Sequence, residues 1–316
     1  MQNNYLIQNT KVSRLKKYSI ESINKKIYST DSILFIFFKK TKELLLAIIQ
    51  YCYQIIFNFS EYKKTFLLKN LNRNKKVLIL GNGQSQDYLS KNNLKFLLKN
   101  NFHLIVVNYW NLNKKFKEVI PNYVVISDRR ILSNDRENKF SYKKNKSLIK
   151  YLRLNKSIKI ICPFLHIHLV GRYIEKTRII GFCDTELRSF YSNVNPLLPR
   201  GYLSSTVYKA IAMALWFSYK EIYLLGIDNT YSRDLYSDKN NSILNIENHA
   251  GIKNSILDMT NLYGSFSDAL IEISYLFKDI EKFSKFKNIY NLDKYSLTNV
   301  FKKISFSNKT IRKIAN

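Results

Sequence analysis

The stretch Lys75 to Ser85, KKVLILGNGQS, constrains this chain more than any other. Two lysines lead into the apolar run Val77-Leu78-Ile79-Leu80, which stops at Gly81-Asn82-Gly83. A short continuous apolar run, ended by glycines and followed by a helical pattern, reads as a buried parallel strand feeding a tight turn. Glycine permits positive φ and lets a ligand approach the backbone closely. The helix expected after the turn would present unpaired N–H groups and its positive dipole end to an anion. The turn is therefore a candidate phosphate cradle, although GNG by itself serves equally as a plain strand–helix connection.

From residue 75 onward, short apolar runs alternate with helical patterns, which predicts an α/β fold with a mostly parallel sheet covered on both faces by helices. The expected strands are Val77–Leu80, Leu104–Val107, Tyr123–Ser127, Ile158–Cys162, Arg178–Ile180, Glu221–Leu225 and Asn288–Asn291. Helices are expected at Ser90–Leu98, Ser205–Phe217 and Phe266–Phe286. Residues 131 to 156 read as a loop plus an exposed helix. Residues 232 to 262 read as a polar, hydroxyl-rich stretch beyond a strand end, where open α/β sheets place their ligands.

Residues 1–74 are different. They hold many basic residues, no Gly and no Pro, and two apolar runs, SILFIFF at Ser32–Phe38 and LLLAIIQYCYQIIFNF at Leu44–Phe59. The second run carries Gln50 and Gln54 and falls short of the roughly twenty residues a membrane span needs. Two readings stay open: an interfacial helix on the inner membrane leaflet, or a helix packed on the main domain or a second subunit. The expected organisation is thus a helical N-terminal extension (1–74), an α/β domain (75–304) and a basic C-terminal tail (305–316).

The 316 residues carry a formal charge of +29, with lysines scattered along the chain. No arginine-rich or aromatic–glycine RNA motif appears, so an anionic surface or substrate is a better reading of the charge than nucleic acid. Cys52, Cys162 and Cys183 are widely spaced and have no metal-binding pattern, which fits a reducing cytoplasm. The N-terminus lacks the apolar core of a signal peptide.

Further candidates sit at the ends of the expected strands. Gly81-Asn82-Gly83-Gln84-Ser85 matches neither GxGxxG nor the P-loop, but Asn82 and Ser85 could add side-chain hydrogen bonds. Asn108 in VNY could contact a ribose or phosphate, or cap the next helix. Asp128 could bind a sugar hydroxyl, act as a base, or pair with Arg129 or Arg130. Ser204, Ser205 and Thr206 gather hydroxyls and free N–H groups at a helix start. The strand after that helix ends in Gly226-Ile227-Asp228. Among the histidines, His249 alone lies in a polar loop downstream, where it could serve as a general base; His103, His166 and His168 read as structural.

Taken in order, the segments KKVLILGNGQS, VVNYW, PNYVVISD, SSTVYKAIAMALWFSYKEIYLLGID, ENHAG and KNIYNLDKYSLTNVFKKI resemble bacterial sialyltransferases of glycosyltransferase family 42. They also resemble the related motility-accessory-factor and MptE-like proteins. The likeness runs over about residues 75 to 304. It implies a Rossmann-like core and metal-independent, inverting transfer of a sugar from a CMP-linked nonulosonic acid donor to a surface-glycan acceptor. By the same resemblance, Gly81, Asn82, Gly83 and Ser85 would hold the nucleotide with Asn108, Asp128, Ser205, Thr206 and Asp228. His249 would deprotonate the acceptor, and Tyr231 and Tyr236 would assist the departing phosphate. This sequence departs from the family at Gln84, where proline is usual, at Asp128, where asparagine is usual, and at Thr230, which occupies the direct match of the first tyrosine. No cofactor or metal is expected, only the nucleotide-sugar substrate. The expected partners are a glycan or lipid-linked acceptor and an anionic membrane, with no nucleic acid and with self-association open; the expected location is the cytoplasm, peripheral to the inner membrane face. An MptE-like diphosphokinase or a non-catalytic assembly protein are the alternatives.

Overall fold

The computed structural model describes residues 6–8, 33–116, 118–127, 131, 139–185, 187, 193–201, 205–228, 235–237, 243–247, 255–258, 274 and 277–315. In chain order the strands are β1 (Leu6–Gln8), β2 (Lys76–Leu80), β3 (Phe102–Val107), β4 (Tyr123–Val125), β5 (Lys159–Pro163) and β6 (Ile179–Phe182). They continue as β7 (Glu221–Leu225), β8 (Leu235–Ser237), β9 (Ile243–Glu247), β10 (Ser255–Asp258), β11 (Ile289–Asn291) and β12 (Lys302–Lys303). The α-helices are α1 (Ile33–Phe57), α2 (Phe59–Leu67), α3 (Lys91–Lys99), α4 (Lys139–Leu154), α5 (Ile167–Gly171), α6 (Thr206–Trp216) and α7 (Asn308–Ala315).

The main sheet is wholly parallel, in the order β12-β11-β7-β2-β3-β4-β5-β6. The chain enters at β2, adds β3 to β6 on one side, then returns to lay β7 against the other side of β2. The fold is the expected Rossmann-like α/β arrangement, and the reversal of strand order falls between β2 and β7. Successive strand residues alternate between two cores, as the period of two demands. Leu78, Leu80, Leu104 and Val106 pack with Trp110, Phe116 and Leu148 on one face. Val77, Ile79, Ile105 and Val107 pack with α6 on the other. Ala210, Ala212 and Ala214 are fully buried there, small enough to bring α6 close to the sheet.

The edge strand β6 is not left open. Lys64 of α2 donates to the carbonyls of Thr177 at 2.7 Å and Ile179 at 2.6 Å, and Thr65 Oγ1 donates to Gly181 O at 2.9 Å. Burial and the nearby Lys159 hold the Lys64 ammonium below its usual range. Trp216 Nε1 of α6 donates to Thr65 O at 2.9 Å, so α2 is bonded to the sheet and to a helix beneath it. Side-chain donors aimed at edge carbonyls remove a site where another strand could add.

Several local readings are refined. Arg178 does not open β6; its buried guanidinium turns back to the carbonyls of Ile158, Leu152 and Asn155. The stretch read as polar between 232 and 262 contains β8, β9 and β10, which with β1 make a second, four-stranded sheet. The exposed helix read within 131 to 156 is α4, whose Leu148 and Leu152 are buried. Residues 305–316 include α7, whose Ile311 and Ile314 are buried and whose Asn308 accepts from Asn93 of α3 at 2.8 Å. Of the helix expected at Phe266–Phe286, residues 277–281 are helical and most of the remainder lies outside the described residues.

Beyond β6 one carboxylate serves two cations. Asp184 Oδ1 accepts from Arg200 at 2.9 Å and lies 3.2 Å from Lys209 Nζ, with Arg200 fully buried over the Phe182 ring. Removing the carboxylate would leave two cations facing each other with little water. Asp184→Ala is expected to destabilise the fold by about 3–5 kcal/mol, and Lys209→Met by clearly less, in urea unfolding of the two variants.

Candidate functional site

At the reversal point, the carboxyl ends of β2 and β7 are clasped together. Gly81 N donates to Leu225 O at 2.8 Å and Gly83 N to Gly226 O at 2.9 Å. Gly226 takes φ +73°, and a methyl group at Gly81 would collide with its carbonyl oxygen. What approaches the glycine backbone is the neighbouring strand end, and these two amides are occupied by it. The turn leads first into a 3₁₀ segment, Gln84–Tyr88, and α3 starts only at Lys91, capped by Ser90. The helix dipole expected directly behind the turn is therefore displaced from it.

Ser85 completes the clasp. Its hydroxyl donates to Asp228 Oδ1 and accepts from Gly226 N at 3.0 Å, while its N–H donates to Asp228 Oδ2 at 3.0 Å. Gln86, buried, donates to Gly81 O at 2.6 Å and accepts from Asn113. Asn82 is partly exposed on the turn. Burial pushes the Asp228 carboxyl above its usual range; the Ser85 hydrogen bonds pull it back, and the hydrogen-bonded carboxyl of Asp293 pushes it up again. Asp293 is itself buried and accepts from Tyr295 N at 2.9 Å. Ser296 donates to Ile227 O at 2.7 Å, holding the loop after β11 over the same strand end.

One strand over, a second polar group forms at the ends of β3 and β4. Asn108 has φ +50°, which asparagine tolerates better than most residues. Its N–H donates to Val125 O at 2.9 Å and its Nδ2 to Thr206 Oγ1 at 3.3 Å. Thr206 Oγ1 also lies 2.7 Å from Ser127 Oγ. Asn108 Oδ1 is buried and has no hydrogen-bond partner among the described residues. Ser205 caps α6 by accepting from Val207 N at 3.3 Å, leaving the amino end of the helix directed at this group.

Of the residues singled out from the sequence, Gly81, Gly83, Ser85 and Asp228 are joined in the clasp, and Asn108, Ser205 and Thr206 meet at the start of α6. Asp128, Ser204, Tyr231 and His249 lie outside the described residues, and Tyr236 falls in β8 with its side chain outside them. Sequence reasoning missed Asp293, Ser296, Gln86 and Ser127. The signal for the first two was present as Asn-Leu-Asp-Lys-Tyr-Ser after a strand, a pattern of short polar side chains that bond to nearby backbone. His103 is structural as read: its ring meets Tyr219 OH at 2.6 Å and Lys75 Nζ at 2.8 Å, and burial lowers its pKa to about 4.

No protein-family model matches the chain, and no curated protein sequence does. Among solved structures it is similar to the MAf glycosyltransferase from Magnetospirillum magneticum AMB-1, with 13% identity and a TM-score of 0.44. The match covers 81% of this chain and 40% of that one, so this chain spans well under half of that protein's length.

The clasp carries two predictions. Gly226→Ala combines a left-handed φ with a backbone collision and is expected to cost about 2–4 kcal/mol in urea unfolding. Because the Asp228 carboxyl is raised when folded, its stabilising contribution is complete below the unfolded value near 3.8 and is lost as pH rises through the folded value. Asp228→Asn removes that dependence. The stability of the variant relative to the parent should therefore increase from about pH 4 to pH 7, measured by unfolding at each pH.

Proposed function

We propose that the chain is a glycosyltransferase that binds a nucleotide-sugar at the Asn108–Ser127–Thr206 group. The carrying observation is the buried, unpartnered Oδ1 of Asn108 beside two hydroxyls at a helix start. An unsatisfied buried acceptor costs about 1–3 kcal/mol, and a ligand donor would offset it. An acceptor oxygen cannot bond a phosphate oxygen, so the partner is a ribose hydroxyl or a base amino group. The phosphate belongs instead at the amino end of α6, where the helix dipole and hydroxyls favour negative charge. The donor we favour is CMP-linked, carrying a nonulosonic acid to a surface glycan.

In this reading, the bond from the anomeric carbon to the phosphate oxygen breaks as the acceptor oxygen bonds that carbon. His249 takes the acceptor's proton, worth about 10²–10⁴-fold, and Tyr231 and Tyr236 donate hydrogen bonds to the departing phosphate. Charge on that phosphate is held by donors placed before the reaction. The basic surface favours arrival of an anionic donor.

A thermal-shift panel of CMP, CDP, UDP, GDP and ATP tests the binding step, since a ligand that binds only the folded chain raises the melting temperature, more so the further its concentration exceeds its Kd. CMP should shift the parent protein and shift Thr206→Val clearly less. His249→Ala should retain the CMP shift while losing transfer from CMP-sugars. A response to Mg²⁺-ATP with none to CMP would overturn the reading in favour of a diphosphokinase, and no nucleotide response at all would favour an assembly role.

A further inference from the structure

Helix α1 has its polarity reversed. Glu43, Ala47 and Gln54, on the side facing the domain, are 3%, 0% and 1% exposed. Gln54 Nε2 donates to Thr185 Oγ1 at 2.7 Å, just past β6. Ile49, Ile56 and Phe57, on the outside, are 65%, 71% and 68% exposed. Helix α2 extends this surface through Phe59, Phe66 and Leu67, all more than half exposed. A helix covering a sheet in water normally turns its apolar side inward. A contiguous apolar surface facing outward marks a place where something else apolar sits.

The charge around the surface decides what that is. Lys42, Lys63, Lys69 and Arg73 are exposed on or beside the two helices, within a chain of formal charge +29. A second copy docking through the same face would bring a second set of these cations into one interface, because a twofold interface uses the same patch on both sides. Anionic lipid headgroups would neutralise them while the apolar side chains enter the acyl boundary. Shape points the same way. No single described helix is long and apolar enough to cross a membrane, and the chain bends by 87° between the two helices. Their inner sides are bonded to the domain through Gln54 and Thr65, so the pair can lie on a bilayer but cannot cross it without breaking those bonds.

We propose that the outward face of α1 and α2 is a monotopic docking surface for an anionic lipid bilayer. The Gln54–Thr185 tie places α1 just past the carboxyl end of β6, on the same end of the sheet as the polar group around Asn108, while α2 runs along the β6 edge. The inference stands on α1 and α2 alone and does not depend on which nucleotide, if any, the chain binds.

Co-sedimentation of the full chain with vesicles of phosphatidylglycerol and phosphatidylethanolamine, against vesicles of phosphatidylcholine alone, tests this. The chain should pellet with the anionic vesicles, and added salt should weaken the association. Ile49→Glu/Ile56→Glu should lower vesicle affinity by about tenfold or more with unchanged circular dichroism and melting temperature. Lys42→Glu/Lys63→Glu should reduce binding to anionic vesicles independently and gives a second readout should the first variant fold poorly. A parent chain that stays in the supernatant overturns the proposal, as does full binding by the isoleucine variant. A dimer that the isoleucine variant splits, without vesicle binding, assigns the face to a second copy instead.

Discussion

Gly81 and Gly226 approach each other more closely than residues with side chains could, and through them the two wings of the sheet are joined. Strands β3 to β6 grow from one side of β2, and β7, β11 and β12 lie on the other. The ladder between β2 and β7 extends past the last strand residues through Gly81 N and Gly83 N. Ser85 then bonds Asp228 and Gly226 together, and the loop after β11 is fastened on top by Asp293 and Ser296. A seam of backbone bonds and short polar side chains thus stands where open sheets of this kind usually leave a crevice.

Closing that crevice moves the candidate binding group rather than removing it. One buried polar atom with unused capacity lies one strand further on, at Asn108, beside the amino end of α6, which can face an anion. The alanines that bring α6 close to the sheet also set its first residue against Asn108 and Ser127. Packing in the core and geometry at the site are therefore set by the same helix.

The parallel core was legible because its strands are buried on both faces and read as unbroken apolar runs; β7 is found with the bounds its sequence suggests. The alanine-rich helix and its Ser205 cap were legible for the same local reasons. The second sheet was not, because β8 to β10 are short and set in a polar stretch, and its remaining strand, β1, joins β10 from the far end of the chain, a contact no local pattern encodes. The glycine turn illustrates a different limit. Its composition announces that some backbone comes close, but whether that backbone contact is with a ligand or with Gly226 depends on a residue far downstream. Arg178 and Asp293 went unread because burial of a charged group depends on carbonyls and carboxyls brought in from distant segments.

The order of the strands has a consequence for how the chain is made. The first strand of the main sheet to leave the ribosome, β2, occupies the centre, yet its partner β7 follows only after β3 to β6 and α6 have been synthesised. Until then one side of β2 offers a bare row of amides and carbonyls with apolar residues above and below. Closing so long a loop is entropically slow, and exposed parallel edges are prone to mispairing while they wait. Helix α2, which covers the opposite edge at β6 in the finished fold, is made before any of these strands and so is at hand when β6 follows. The growing sheet is thus left with one open side, and that side accepts β7.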